Sequence, residues 1–218
     1  DQATFADDLY LRIIDYKSSA TGLNLVEVYY GLALQMLAYL DVILTNSERW
    51  LGVKASPAGM LYFHIHDPIL SEQEALSQAE IDEKLFKKYK MQGLLIDKEP
   101  IIQMMDTDLE GGISPIIPAG LKKDGTFRSG SRIASEETFQ VLQDHVQQMI
   151  AGAGVAITNG EVELNPYQQA DQTACRFCPF RSVCQFDPSL PSHQYRKLPN
   201  LKDEQIIEKI KAEGGSSW

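Results

Sequence analysis

Asp15 and Lys17 stand two positions apart in "LRIIDYKSS", where an apolar, alternating run gives way to Ser and Gly. Side chains repeat with a period of two along a strand, so both project from one face, beside a turn. A carboxylate there can hold a hard divalent cation such as magnesium through oxygen. An ammonium beside it can orient an attacking water or stabilise the charge that builds on a phosphate. The pair suits metal-assisted hydrolysis of a phosphodiester, but a D-x-K at a strand end is also the form of a solvated ion pair of little consequence. Gln35 and Tyr39, four residues apart, share one face of a following helix and look out from an apolar segment. Either they lean over the strand end to hold a phosphate or a metal's surroundings, or they satisfy hydrogen bonds of their own.

A second constellation lies at Cys175, Cys178 and Cys184, spaced C-x2-C-x5-C. Three cysteines so close together do not make a disulfide framework; three thiolates on one loop are soft ligands for zinc or an iron–sulfur cluster in a reducing, cytoplasmic setting. A zinc site completed by His193 would be self-contained. His64 and His66 alternate with Phe63 and Ile65, and the pattern points to a hydrogen-bonded interior or DNA-facing role ahead of a metal role.

The elements that position these residues follow from periodicity. Residues 9 to 17 read as a strand with Leu9, Leu11, Ile13, Asp15 and Lys17 on one side. From about Val26 to Leu44 apolar residues recur at helical spacing through Tyr30, Leu34, Leu37 and Leu40, predicting one long, largely buried helix that ends in the polar "TNSER". "AGMLYFHIHDP", 58 to 68, predicts a second, buried strand. Ser71 and Glu74 form a capping-box pattern for a charged helix to about Tyr89. Pro100 sits at the first position of another helix. The Gly/Pro/Ser-rich stretch from Gly111 to Ser131 predicts a loop or flap. Ser135 caps a helix that turns Phe139, Leu142, Val146 and Met149 inward and stops at Gly152. A last short helix covers "DEQIIEKIKA".

With 218 residues, 44% of them hydrophobic, the chain can bury a real core. Gln35 and Asp41 interrupt the longest apolar stretch well before a bilayer span is reached, so no membrane partner is expected. A formal charge of −10 argues against a free-standing nucleic-acid binder; any DNA function must be local or shared with a partner. Basic residues bunch in "KLFKKYK" (84–90) and "LKKDGTFRSGSR" (121–132), which read first as a solvated helix face and a mobile loop, ahead of a DNA contact.

Taken together, "IIDYKSS", "LQMLAYLDV" and "CRFCPFRSVC", with "VYYGLALQMLAYLDVIL" and "GMLYFHIHDP", resemble the RecB-type nuclease family, most closely the nuclease domains of AddAB-type bacterial helicase-nucleases, over nearly the full length. The resemblance implies an α/β, restriction-endonuclease-like PD-(D/E)XK fold. This is a mixed sheet flanked by helices, with residues 1–170 as a partial nuclease core and 171–218 as a cysteine-rich segment and final helix. It implies that Asp15, Lys17, Gln35 and Tyr39 are catalytic, that Asp15 and the Tyr16 backbone carbonyl bind Mg2+, and that Cys175, Cys178 and Cys184 ligate a [4Fe-4S] cluster whose fourth cysteine lies far upstream. The implied activity is a DNA exonuclease cutting the 5′-ended strand in recombinational double-strand break repair, in a heterodimer with an AddA-like partner subunit that supplies the DNA channel. An alternative class is a structural iron–sulfur or zinc module that grips DNA ends or a partner without catalysis. The family's further aspartate, in a "G-R-I-D-R-I-D"-like strand, and its upstream histidine have no counterpart here, so the chain is expected to begin just after that strand. Asp7 and Asp8, the nearby carboxylates, sit where a hairpin turn is expected.

Overall fold

The computed structural model describes residues 1–19, 21–65, 68–71 and 75–213. In chain order the first elements are β1 (Gln2–Phe5), β2 (Asp8–Lys17), α1 (Leu25–Tyr29), α2 (Gln35–Thr45), α3 (Ser47–Leu51), β3 (Ala55–His64), α4 (Gln78–Lys88), β4 (Gln92–Ile96) and α5 (Glu99–Met105). There follow β5 (Gly112–Ile113), β6 (Gly120–Leu121), β7 (Ile133–Ala134), α6 (Glu136–Thr158), β8 (Tyr167–Gln169), β9 (Gln172–Thr173), α7 (Arg181–Cys184), β10 (Arg196–Lys197) and α8 (Asp203–Glu213). Two compact units account for them: residues 1–23 with 33–143, and residues 24–32 with 144–218. The boundary expected between 170 and 171 falls inside the second unit. No helix among the described residues is long and apolar enough to cross a membrane.

The first unit is built on a five-stranded mixed sheet in the order β1-β2-β3-β4-β7. β1 and β2 form a hairpin whose turn residues, Ala6 and Asp7, both have positive φ, the twist that a two-residue hairpin connection needs. β2 and β3 run parallel, and their register slips between Leu11 and Arg12. Pro57 stands opposite that slip, where a residue without an N–H is tolerated. β3 then pairs antiparallel with β4, and β4 parallel with β7. Leu61 and Leu95 from the sheet pack with Ile102 of α5 and with Leu109, Ile117, Ala119 and Leu121. The stretch from Gly111 to Ser131 is therefore no flap. It folds into the β5–β6 hairpin and places Ile117, Ala119 and Leu121 in the core, each no more than 2% exposed. The neighbouring arginines are tied down as well, Arg128 to the Leu121 carbonyl and Arg132 to that of Leu23.

The long helix expected from Val26 to Leu44 is two helices. Asn24 caps α1 through its side chain. Gly31, at φ 77°, stops it: the Leu32 N–H bonds to the Glu27 carbonyl and the Gly31 N–H to that of Val28, a Schellman motif. α2 then begins at Gln35, ends at Thr45 in the polar "TNSER", and Ser47 of that run opens a further short helix, α3. The capping box of α4 is made by Ser77 and Glu80, a second S-x-x-E; Glu74 of the expected box lies outside the described residues. Pro100 is the second residue of α5, after Glu99. Lys98 precedes that helix and bonds to the Tyr10 hydroxyl and to Glu136, contacts that hold its ammonium above the usual lysine range, Glu136 having the larger effect.

In the second unit α1 packs on α8. Tyr29 stacks on His145 with centroids 5.3 Å apart, donates to Glu213 and lies under the Lys209 ammonium. α6 runs through Gly152, which keeps helical backbone, and ends before Gly160 at φ 71°. β10, β8 and β9 form a small sheet, and α7 is the turn that carries Cys184.

Gly93 and Gly59 show how closely β3 and β4 approach. Both have φ 153°, and a Cβ on Gly93 would meet the Met60 carbonyl oxygen at 2.0 Å, backbone that cannot move aside. Gly93→Ala is expected to lower stability by at least about 2 kcal/mol. Gly111→Ala, which meets open space, should stay within about 0.5 kcal/mol. Thermal denaturation of the two variants against the parent tests the contrast.

Candidate active site

The end of β2 brings Asp15 and Lys17 onto one face, as their spacing requires. Lys17 Nζ lies 2.6 Å from Asp15 Oδ2, and both side chains are about a quarter exposed (26% and 22%). The contact lacks hydrogen-bond geometry: Asp15 Oδ2 is enclosed yet accepts no hydrogen bond among the described residues. Lys17 donates to Gln35 Oε1 at 3.3 Å and sits 5.7 Å from the Tyr62 ring centroid. Gln35 in turn donates through Nε2 to the Tyr39 hydroxyl at 3.0 Å. Asp15, Lys17, Gln35 and Tyr39 thus form one chain of contacts, and Tyr39, 52% exposed, is its outer end.

Local structure explains the convergence. The Schellman stop at Gly31 allows α2 to start afresh at Gln35, so the glutamine occupies a first helical turn, and the buried Met36, Leu37 and Leu40 fix which face it shares with Tyr39. Parallel register sets Tyr62 beside Asp15 and His64 beside Lys17 on β3. His64 is 8% exposed, and its Nε2 lies 2.8 Å from both the N–H and the carbonyl of Thr21. Whichever tautomer is present, the ring ties down the segment that follows Lys17. Sequence reasoning left the role of His64 open between interior and DNA-facing; it is interior. His66 lies outside the described residues. Tyr62 was missed, and its only signal was its place in the aromatic-rich strand "LYFH".

An enclosed carboxylate oxygen without a donor is the kind of atom a hard cation satisfies, so Asp15 fits one ligand position of a magnesium site. Asp7 and Asp8 do not supply another. Asp7 is in the hairpin turn and Asp8 pairs with Phe5 at the far end of β2, about 23 Å from Asp15 at about 3.3 Å per residue. Tyr16 projects to the opposite face and is 63% exposed. Among the described residues no group of three or more His, Cys, Asp or Glu side chains is arranged to hold a metal ion.

The three cysteines are free and half-buried. Cys175 and Cys178 are linked through backbone, the Cys178 N–H to the Cys175 carbonyl at 3.4 Å, and Cys184 closes α7. Partial burial, followed by contact with Cys175, raises the Tyr195 phenol above its usual range. His193 accepts the Asp187 N–H on Nδ1 and stacks on Phe186 with centroids 5.5 Å apart, so one ring nitrogen is already engaged. Thiols of this kind are soft ligands by type, but among the described residues the three are not arranged around a common metal position.

A mixed sheet whose parallel strand ends in an Asp-x-Lys pair is the core of one nuclease class, and the sequence confirms it: residues 2–185 match the PD-(D/E)XK nuclease superfamily, and the chain belongs to that superfamily. Its relatives include ATP-dependent helicase/deoxyribonuclease subunits from three bacteria. It is 56% identical over 214 residues to that of Oceanobacillus iheyensis, 54% identical over 214 residues to that of Bacillus pumilus and 51% identical over 213 to that of Bacillus subtilis. Each alignment covers 98% of this chain and 18% of the relative, so the chain spans less than a fifth of the length of those proteins.

Removal of the His64 ring should loosen the loop after the strand end. His64→Ala is expected to speed amide exchange at Thr21 by about fivefold, the loss of one hydrogen bond of about 1 kcal/mol. Hydrogen exchange read by NMR or mass spectrometry measures this, and unchanged protection at Thr21 would refute the tie.

Proposed function

We propose that the chain is the nuclease domain of a helicase-nuclease complex and hydrolyses DNA phosphodiesters with a divalent metal, magnesium in the cell. The observation that carries this is the Asp15–Lys17 contact at the end of β2, extended through Gln35 to Tyr39, in a member of the PD-(D/E)XK superfamily. Asp15 and the Tyr16 backbone carbonyl would hold the metal. When bound, that ion supplies Lewis acidity at the phosphate and lowers the pKa of an attacking water. Lys17, fixed by Asp15 and Gln35, directs its ammonium at the charge that grows on the phosphate. Tyr39 offers a hydroxyl to the strand's backbone from the solvent side.

The relatives are named as subunits of a helicase/deoxyribonuclease, and this supports an AddA-like partner in a heterodimer. The net charge of −10 agrees with a partner that provides much of the DNA channel. We extend the reading to exonucleolytic cutting of the 5′-ended strand during recombinational double-strand break repair in the cytoplasm. Cys175, Cys178 and Cys184 would hold a [4Fe-4S] cluster together with a ligand from elsewhere.

In the full-length protein Lys17→Ala is expected to abolish cutting of an end-labelled duplex while leaving DNA binding within about tenfold, because the lysine acts on the transition state. Near-normal cutting would refute the site. Residues 1–218 alone should cut nothing even with magnesium or manganese, because one carboxylate and one carbonyl hold a hard cation loosely. Asp8→Asn should have no effect on the full-length enzyme.

The cluster is tested separately by metal analysis. Anaerobically purified full-length protein should be brown and contain about four iron atoms per molecule. Cys178→Ser should lower that content; zinc in place of iron would overturn the assignment.

A further inference from the structure

The opposite face of the same strand end carries a feature that hydrolysis does not require. Tyr16 projects away from Asp15 and Lys17 with 63% of its surface exposed. Its ring meets that of Phe63, its register partner on β3, edge-on with centroids 5.8 Å apart. Phe63 continues to Tyr89, near-parallel at 17° and 6.3 Å. The row starts where the core stops: Ile14 and Leu61, the preceding residues on this face of the two strands, belong to the packed cluster. Tyr89 follows the last turn of α4 in the run Lys87-Lys88-Tyr89-Lys90. Lys87 is paired with Glu83 on its own helix, and Lys88 is exposed.

We propose that Tyr16, Phe63 and Tyr89 form a stacking platform for the unpaired bases of a single DNA strand, with Lys88 and Lys90 beside the backbone. The proposal rests on the nuclease reading of the strand end, since it assumes a DNA strand whose scissile phosphate lies at Lys17. Aromatic rings interleaved with lysines are the chemistry that holds single strands without regard to sequence, each base offering a π face. A protein partner fits less well, because lysine is depleted from the cores of protein interfaces. Position supports the same occupant. Tyr16 and Lys17 are neighbours in the chain, their Cα atoms about 3.8 Å apart, so a strand rounding the end of β2 from one face to the other can meet both. Ser18 and Ser19, which follow, are exposed.

The test uses the full-length protein in EDTA, where no cutting occurs, and oligothymidylate as the probe, read by fluorescence anisotropy. Tyr16→Ala and Tyr89→Ala should each weaken binding by about fivefold or more. Tyr16→Phe should restore it. Lys88→Gln should reduce the slope of affinity against salt by about 0.7. An iododeoxyuridine-substituted strand should photocrosslink to the peptides bearing Tyr16 or Tyr89. Affinity of both alanine variants within twofold of the parent, or crosslinks confined to other segments, overturns the platform; so does a loss of heterodimer formation with DNA binding unchanged. If Lys17→Ala still cuts while the alanine variants lose binding, the nuclease assignment fails and the platform stands.

Discussion

Everything at the strand end depends on the parallel pairing of β2 with β3. With side chains repeating every two residues, a slip of one position would turn Asp15 and Lys17 to the back of the sheet and Tyr16 to the front. The register is held at several points. The β1–β2 hairpin fixes one end, the irregularity opposite Pro57 absorbs a mismatch, and His64 fastens the chain beyond Lys17. Gly59 and Gly93 let β4 close on the far side of β3 at a distance no side chain would permit. The chemistry and the stability of the first unit therefore share the same residues, and substitutions in the middle of β3 act on both.

Electrostatics add a second layer. A carboxylate oxygen withdrawn from water without a hydrogen bond costs about 1–3 kcal/mol, more when charged. The Lys17 ammonium at 2.6 Å offsets part of that. A residual imbalance of this kind is what an incoming cation would relieve. Gln35 keeps the lysine from following the carboxylate wherever it turns, and the Tyr62 ring beneath it adds a weak cation–π attraction.

Much of this was readable from residue types and spacing. The D-x-K pair, its placement at a strand end, the Q-x-x-x-Y face, a hairpin turn at Asp7 and the last helix all follow from local periodicity, and local periodicity is what a single sequence displays. The misses have a common physical origin. A helical apolar pattern continues through Gly31, so only the φ 77° conformation, fixed by packing, reveals the break between α1 and α2. Gly152 looked like a stop for the opposite reason: glycine permits a left-handed cap but does not impose one. The Gly111–Ser131 stretch has loop composition, yet its apolar residues Ile116, Ile117, Ala119, Leu121 and Phe127 pack against sheet and α5 in a core that only the tertiary fold creates. His64 and Tyr62 acquire their roles from strand register, which pairs residues far apart in the chain.

The early stop at Gly31 has a bearing on how such a chain can be cut and rejoined. Residues 24–32 group with the C-terminal unit, while Gln35 and Tyr39, just downstream, group with the first. A premature stop codon after Gln143 would spare every residue of the Asp15–Tyr39 relay and still strip α1 of α8, on which it packs. Leu25, Val26 and Val28, each 3% exposed or less, would be left to find other cover within a few positions of the relay. Cutting the chain at that point therefore does not separate the two units cleanly, because the segment from Asn24 to Leu32, which lies between Lys17 and Gln35 in the chain, groups with the C-terminal one.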